Sequence, residues 1–372
     1  MVRDMEKKQW KDVLHIVSGK NQKEVENLHG KYPIYGSGGV LGYADEYLCE
    51  AGTTIVGRKG TINRPIYVNE PFWNVDTAFG ISPGSDLLPK YLFFFCCFFN
   101  FSELDKSTTI PSLAKRDLLN IEMPVPPLDE QERIVARIEE LFSQLDSGVE
   151  TLRKTKQQLA VYRQAVLKEA FADFKEKKPI REMSSIVTSG SRGWAQYYAA
   201  DGARFIRITD LTRDGIQLKN DSIQHVALPD KAEGKRSRLL CGDVLISITA
   251  DLGSIALIPD NIEEAYINQH IAMVRFYNPA QGEFMAWYLR SEWGQKDLLK
   301  NKRGGGKLGL GLDDIRDTPV PVVPDEEAMK TVAFIDDRLS VCASIEQTVD
   351  TALQQAEAMR QSILKRAFEG GL

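Results

Sequence analysis

Apolar and polar positions follow two different rhythms along this chain. From Ala328 to Ala367 apolar residues or alanine recur in alternating steps of four and three, through Val332, Ile335, Leu339, Cys342, Val349, Ala352, Ala356, Met359 and Ile363; Glu346 alone breaks the pattern, with Ile345 beside it. A stripe repeating every 3.5 residues stays on one side of a helix, so this spacing predicts a coiled-coil seam. The same rhythm links Ile134, Ile138, Leu141, Leu145, Val149, Leu152, Leu159 and Val166, disturbed near Ser147-Gly148, where a bend is expected. Each tract follows a proline cluster, PVPPLDEQ from Pro124 and PVPVVPDEE from Pro319. Proline bars helix upstream and, with the acidic residues after it, suits a helix N-terminus. Two helices of about 40–45 residues are predicted, roughly 60–70 Å long. Their candidate seam comprises Ile134, Ile138, Leu141, Leu145, Leu152 and Leu159 in the first helix, and Val332, Ile335, Leu339, Val349, Leu353, Met359 and Ile363 in the second.

The segments before each helix read differently. Short β-rich stretches (Thr53 to Val56, Ile66 to Val68, Arg204 to Ile208, Val244 to Thr249, Ile271 to Phe276) are separated by turn residues. A helix-like apolar block follows in each segment, Lys90 to Phe101 and Glu283 to Leu299, and then a polar loop. These segments are mixed α/β by pattern.

The chain is written twice. Glu122 to Pro126 (EMPVP) faces Asp317 to Pro321 (DTPVP) at an offset of 195, and Arg163 to Phe171 (RQAVLKEAF) faces Arg360 to Phe368 (RQSILKRAF) at 197. Weaker matches pair Gly52-Thr-Thr-Ile-Val56 with Gly242-Asp-Val-Leu-Ile246, and Asp76-Thr-Ala-Phe79 with Gln269-His-Ile-Ala272. Similarity concentrates in the helical segments, as for a fixed scaffold carrying variable readers. The predicted fold class is α+β: two globular α/β domains, 1–123 and 179–317, separated by two long antiparallel coiled-coil helices, 124–178 and 318–372, in a pseudo-two-fold repeat. Each buried seam residue is worth roughly 1.5–3 kcal/mol, against about 0–1 for an exposed ion pair, so the seam sets the pairing. On periodicity alone, a dimerisation coiled coil or bundle helix of any function fits as well.

Composition narrows the classes. Hydrophobic residues at 43% and charged ones at 27% are ordinary globular usage, which excludes disorder as the main state. The longest apolar run, Tyr91 to Phe99, is about half a membrane span. The start, MVRDMEKKQWKDV, has no apolar h-region, and a cytoplasmic protein is expected. The five cysteines lack metal-ligand spacing and are read as reduced thiols. Net charge is −5, but residues 1–317 carry 42 basic and 43 acidic side chains, and residues 318–372 carry 5 and 9. A polyanion-binding surface would have to arise from local arrangement within neutral regions.

The search for catalytic sets returns negatives. Gly304-Gly-Gly-Lys307 continues into Leu308, without the Ser/Thr of a P-loop. No Asn/Asp-Pro-Pro-aromatic motif of amino-methyltransferases is present, and the four histidines (His15, His29, His225, His270) form no metal-type spacing and are read as structural. What remains are glycine-rich, basic and amide-bearing loops. Tyr32 to Tyr43 reads as a glycine turn exposing backbone N–H groups, with Tyr35 and Ser37 as candidates; Val56 to Arg64 places Arg58, Lys59, Asn63 and Arg64 on one loop; the loop after the apolar block adds Lys106, Thr108 and Thr109. The second segment offers Arg192 and Trp194, Arg207 with Asp210, and Lys302, Arg303 and Lys307. Arginine reads guanine bidentately, asparagine reads adenine, and lysine neutralises phosphate. Singly, each such loop is more often a solvated turn; the signal is their recurrence in both copies.

The tract Pro-Val-Pro-Pro-Leu-Asp-Glu-Gln-Glu-Arg-Ile-Val135, continuing to Leu167-Lys-Glu-Ala-Phe171, resembles the conserved region of the specificity subunits of type I restriction-modification enzymes. Tyr32 to Tyr43, Phe205-Ile-Arg-Ile-Thr-Asp-Leu211 and Gly242-Asp-Val-Leu-Ile-Ser247 are similar to motifs of that family's target recognition domains. The second scaffold copy, Pro324-Asp-Glu-Glu-Ala-Met-Lys330, departs from the Leu-Asp-Glu-Gln form of the first. The resemblance implies a non-catalytic DNA-binding subunit. Each recognition domain would read half of a bipartite, asymmetric double-stranded DNA target, the helices setting the gap and docking two modification (methyltransferase) subunits. Restriction subunits would join to translocate and cleave. It implies no cofactor or metal in this chain, the partner subunits using S-adenosylmethionine, ATP and Mg. Two other classes remain open from the residues: a structural adaptor with protein-binding arms, and a methyltransferase with an unfamiliar site.

Overall fold

Pro127 and Pro324 each stand immediately before one of the two long helices. The first helix runs unbroken from Leu128 to Ala170 and the second from Asp325 to Phe368. Both carry acidic residues in the first turn and lysine or arginine in the last, complementing the helix dipole. No break occurs at Ser147-Gly148, where a bend was expected: the helix continues, and Thr151 Oγ1 donates to Ser147 O at 2.9 Å. The computed structural model describes residues 6–228, 236–300, 302 and 308–371. They form two units, 1–153 with 350–372, and 154–349.

In the first unit a four-stranded antiparallel sheet has the order Leu14–Ser18, Ala78–Pro83, Thr53–Gly57, Ile66–Val68. A second sheet pairs Gly39–Ala44 with Tyr32–Gly36, and Tyr32–Gly36 in parallel with Trp73–Asn74. Lys7–Gln9 pairs with Glu122–Pro124 and closes the globular part onto the first helix. The apolar helix Pro89–Phe98 lies in a core with Trp10, Phe79 and Phe101, completed by Ile134 and Ile138 of one long helix and Leu364 and Phe368 of the other. Phe368 packs against Tyr91 and Phe95, with ring centroids 5.2 and 5.3 Å away.

The second unit repeats this plan, with one strand more, Tyr198–Ala199, in its second sheet. Its antiparallel sheet has the order Ser184–Ser189, Ile271–Phe276, Val244–Ser247, Ile255–Leu257. Its second sheet contains a parallel pair, Ala203–Ile206 with Ala265–Ile267, and Lys177–Pro179 pairs with Pro319–Pro321. The expected single block to Leu299 is two helices, Gly282–Arg290 and Glu292–Leu298, divided at Ser291, whose hydroxyl caps the second by accepting from Gly294 N. Gly52 and Gly242, matched in the sequence repeat, both take positive φ (+82° and +79°) before the equivalent strand. Each is pressed against a proline, and a Cβ would stand 3.3 Å from Pro89 or 2.9 Å from the Pro279 carbonyl.

In each unit the long helices run antiparallel. Asp146 pairs with Arg360 in the first, and Arg163 with Glu346 at 2.5 Å in the second. Glu346, the break in the heptad pattern, is thus paired, with Lys156 also 4.0 Å away. Ile134, Ile138, Leu159, Ile335 and Val349 are buried, while Leu141, Leu145, Leu152, Val332, Leu339, Leu353 and Ile363 are half-buried. Met359 is a correction: it is 55% exposed. Near this end the inward stripe runs through Ala356, Arg360 and Leu364, because the Arg360 guanidinium lies 4.6 Å from the Phe142 ring centre while pairing with Asp146.

Gln131, from the Leu-Asp-Glu-Gln tract, is fully buried. Its amide donates to Asp86 O and Pro126 O at 2.7 and 2.8 Å and accepts from Leu88 N at 2.9 Å, locking the globular part to the helix start. Counting from the two helix starts, its counterpart is Ala328, also buried, and the amide comes from the opposite side: Gln281 donates to Val323 O and to Asp325 at 3.1 and 2.6 Å. The altered motif of the second copy is an internal lock rebuilt with a different donor.

Candidate nucleic-acid interface

Strand Thr53–Gly57 of the first unit leaves its sheet into a loop framed by main-chain bonds. Arg58 N donates to Thr77 O at 2.8 Å, Leu113 N to Arg58 O at 2.9 Å, and Gly60 N to Pro111 O at 2.9 Å. Gly60 turns the chain with φ +82°. The segment read as a glycine turn is a β-hairpin, Tyr32–Gly36 with Gly39–Ala44. Its tip lies over this loop: a Cβ on Gly57 would meet Ser37 Cβ at 3.1 Å. Tyr35 turns inward, edge-on to Phe72 at 5.5 Å, and burial, with Glu70 nearby, raises its hydroxyl pKa.

Arg58, Lys106, Lys115 and Arg116 line one hollow. Arg58 is half-buried, its Nη1 donating to Asp76 O at 3.4 Å. Lys106 bridges to Asp117 at 3.1 Å, and Lys115 donates to Ile16 O at 2.6 Å. Lys59, Thr108 and Thr109 are exposed nearby in sequence. Asp105 holds the loop by accepting from Ser107 Oγ and N and from Ser112 N, and these bonds lower its carboxyl pKa, the Ser107 hydroxyl most. Asn63 and Arg64, expected beside Arg58, go elsewhere. The Asn63 amide donates to Asn100 Oδ1 and Ser102 Oγ at 3.0 and 2.6 Å and accepts from Phe101 N at 2.7 Å, so it is engaged internally. Arg64 lines a separate groove with Phe142, Asp146 and Arg360.

The second unit has the same frame with other side chains. Ile248 N donates to His270 O at 2.9 Å, and Leu310 N to Ile248 O at 3.0 Å. Thr249 bridges Gly309 as Lys59 bridges Ser112. Ala250 takes the left-handed turn that Gly60 takes, with φ 60°. The station therefore holds Ile248, Thr249, Gln269 and His270 where the first unit holds Arg58, Lys59, Asp76 and Thr77. Gln269 and His270 stand out in the sequence only through the weak repeat match, since uncharged polar residues resemble any surface.

Two residues of this unit expected to contact DNA make internal contacts. Trp194 is 5% exposed, stacked on Phe205 at 4.8 Å, and belongs to the core of its sheet. The Arg207 guanidinium is occupied by Asp210 Oδ1 and by Ser222 O and Oγ at 2.8–3.2 Å, while Asp210 also accepts from Arg207 N. Arg192 and Lys302 are exposed, and Arg303 and Lys307 lie outside the described residues. Among the described residues no group of three or more His, Cys, Asp or Glu side chains is placed to hold a metal, and no helix is long and apolar enough to cross a membrane.

Residues 2–160 match the family model described as the type I restriction modification DNA specificity domain. The EcoBI specificity subunit of Escherichia coli is 25% identical over 380 residues, covering 93% of this chain and 78% of that protein. The chain is similar to the type I restriction-modification specificity subunits. The EcoKI specificity subunit of Escherichia coli strain K12 is 26% identical over 350 residues, covering 85% of this chain and 73% of that protein. A chain from a structure of type I restriction-modification complex assembly and conformational transition shares the fold, with a TM-score of 0.75 over the whole of both chains at 17% identity.

Proposed function

We propose that the two globular segments, 1–123 and 179–317, each read one half of a bipartite, asymmetric double-stranded DNA target. The helical segments, 124–178 and 318–372, set the gap and dock two modification subunits, with restriction subunits joining the assembly in the cytoplasm. One observation carries this reading: the same backbone frame occurs twice, with unlike side chains at the equivalent station. Two equal frames suit two equal tasks, and unlike side chains suit two different half-sites. Exposed Val161, Tyr162, Val341 and Ile345 on the long helices support docking of a protein partner there.

The test is methylation of a DNA library by the chain assembled with its modification subunits. Inserting one heptad in both helices adds about 10 Å, or about three base pairs, to the gap and leaves both half-sites unchanged. A gap that stays the same refutes the spacer role. An adaptor without DNA specificity would methylate at random, and its DNA association would not weaken steeply with salt as phosphate contacts require.

A further inference from the structure

Resting on the reading above, we infer that Gln269 is a base-reading residue of the second recognition domain, that it takes adenine, and that His270 positions it. The station is identified by main-chain bonds common to both units, from Arg58 N to Thr77 O and from Ile248 N to His270 O. Where the first unit places Arg58 and Lys59 there, the second has Ile248 and Thr249, so its chemistry comes from uncharged groups.

Those groups form a relay. Gln269 Nε2 donates to His270 Nε2 at 2.9 Å, so the imidazole proton sits on Nδ1 and is donated to Thr249 Oγ1 at 2.6 Å. His270 N donates to Asn268 Oδ1 at 3.0 Å, anchoring the residue at its backbone. Thr249 is tied to Gly309, and beside it Ala250 is the one non-glycine residue with positive φ among the described residues. A side chain in that conformation is strained and concentrates at functional positions. Asp251 holds the turn, accepting from Arg213 Nε at 2.7 Å and from Ser254 Oγ at 3.0 Å.

The relay leaves Gln269 with one N–H and its Oε1, a donor and an acceptor side by side. Adenine offers the complement in the major groove, N7 accepting and the N6 amino group donating. Guanine offers two acceptors there and repels Oε1. Because His270 already orients the amide, little rotamer freedom is lost on contact.

The assembled complex with modification subunits is assayed for methylation across a library randomised at every recognised position. Gln269→Ala is expected to relax one adenine position of a single half-site, with a roughly 10–100-fold loss of discrimination and the other half-site unchanged. Gln269→Glu, which can only accept, is expected to move preference at that position toward cytosine. His270→Ala should relax the same position and no other, an outcome that a general loss of stability would not produce. A Gln269→Ala complex that reads every position as before, or weakens evenly on all sequences, overturns the inference. If the unsubstituted chain directs methylation to no two-part sequence, the broader reading of the protein falls with it.

Discussion

The first unit's station carries Arg58, Lys59, Asp76 and Thr77, and the second's carries Ile248, Thr249, Gln269 and His270, on one frame of main-chain hydrogen bonds within 0.1 Å of each other in length. Main-chain bonds are blind to side-chain type. A frame built from them accepts any side chain, and reading chemistry can diverge without disturbing the fold. The buried parts behave otherwise. Ile138 and Ile335 are fully buried at matching distances from the two helix starts, and Gly52 and Gly242 meet prolines in the same conformation. Where packing is dense, volume is felt to one methylene, so the scaffold stays alike while the readers differ.

The comparison can be broken at four depths. Ile138→Ala and Ile335→Ala should each destabilise their own unit by about 2–5 kcal/mol, read by denaturant unfolding with hydrogen exchange resolving the two units; a large cost in one and none in the other would show that the scaffolds are not equivalent. Gln131→Ala and Gln281→Ala should cost about 1–3 kcal/mol each, since buried carbonyls and amides lose their partners. Similar losses from opposite sides of the lock would establish that the two donors do one job. Arg58→Ala should relax one position of one half-site by roughly 1–3 kcal/mol of discrimination. Arg64→Ala, in the groove by the helices, should change no base preference, and methylation profiling separates the two. The smallest effect has opposite signs in the two units: Gly60→Ala forces a side chain into the left-handed region at about 1–2 kcal/mol, whereas Ala250→Gly relieves it and shifts stability by less than about 1 kcal/mol. Equal signs in thermal unfolding would mean that the turns are not counterparts.

Much of the scaffold was legible because its signals are local. Heptad spacing and proline placement marked both long helices, and the turn pairs Gly52 and Gly242 emerged from the repeat. Met359 misled because a strict 3.5-residue step was carried into a helix end where Arg360 stacks on Phe142. The hairpin Tyr32–Ala44 was hidden by its glycines, whose turn signal masked alternation on either side. At the candidate site, charge made Arg58 and Lys59 visible. Asn63, Trp194 and Arg207 have residue types that bind DNA as readily as they cap loops, fill cores or form internal ion pairs. Only their partners decide which, and those lie up to 39 residues away for Asn63.

By itself the amino-acid order determined the duplication, where the rods start and which stripe of each is apolar, because periodicity and proline act over a few residues. Tertiary structure decided which polar side chains are consumed internally and which stand together at the equivalent stations. That choice depends on backbone bonds between segments such as 58 and 113, or 248 and 310, and no local pattern records them.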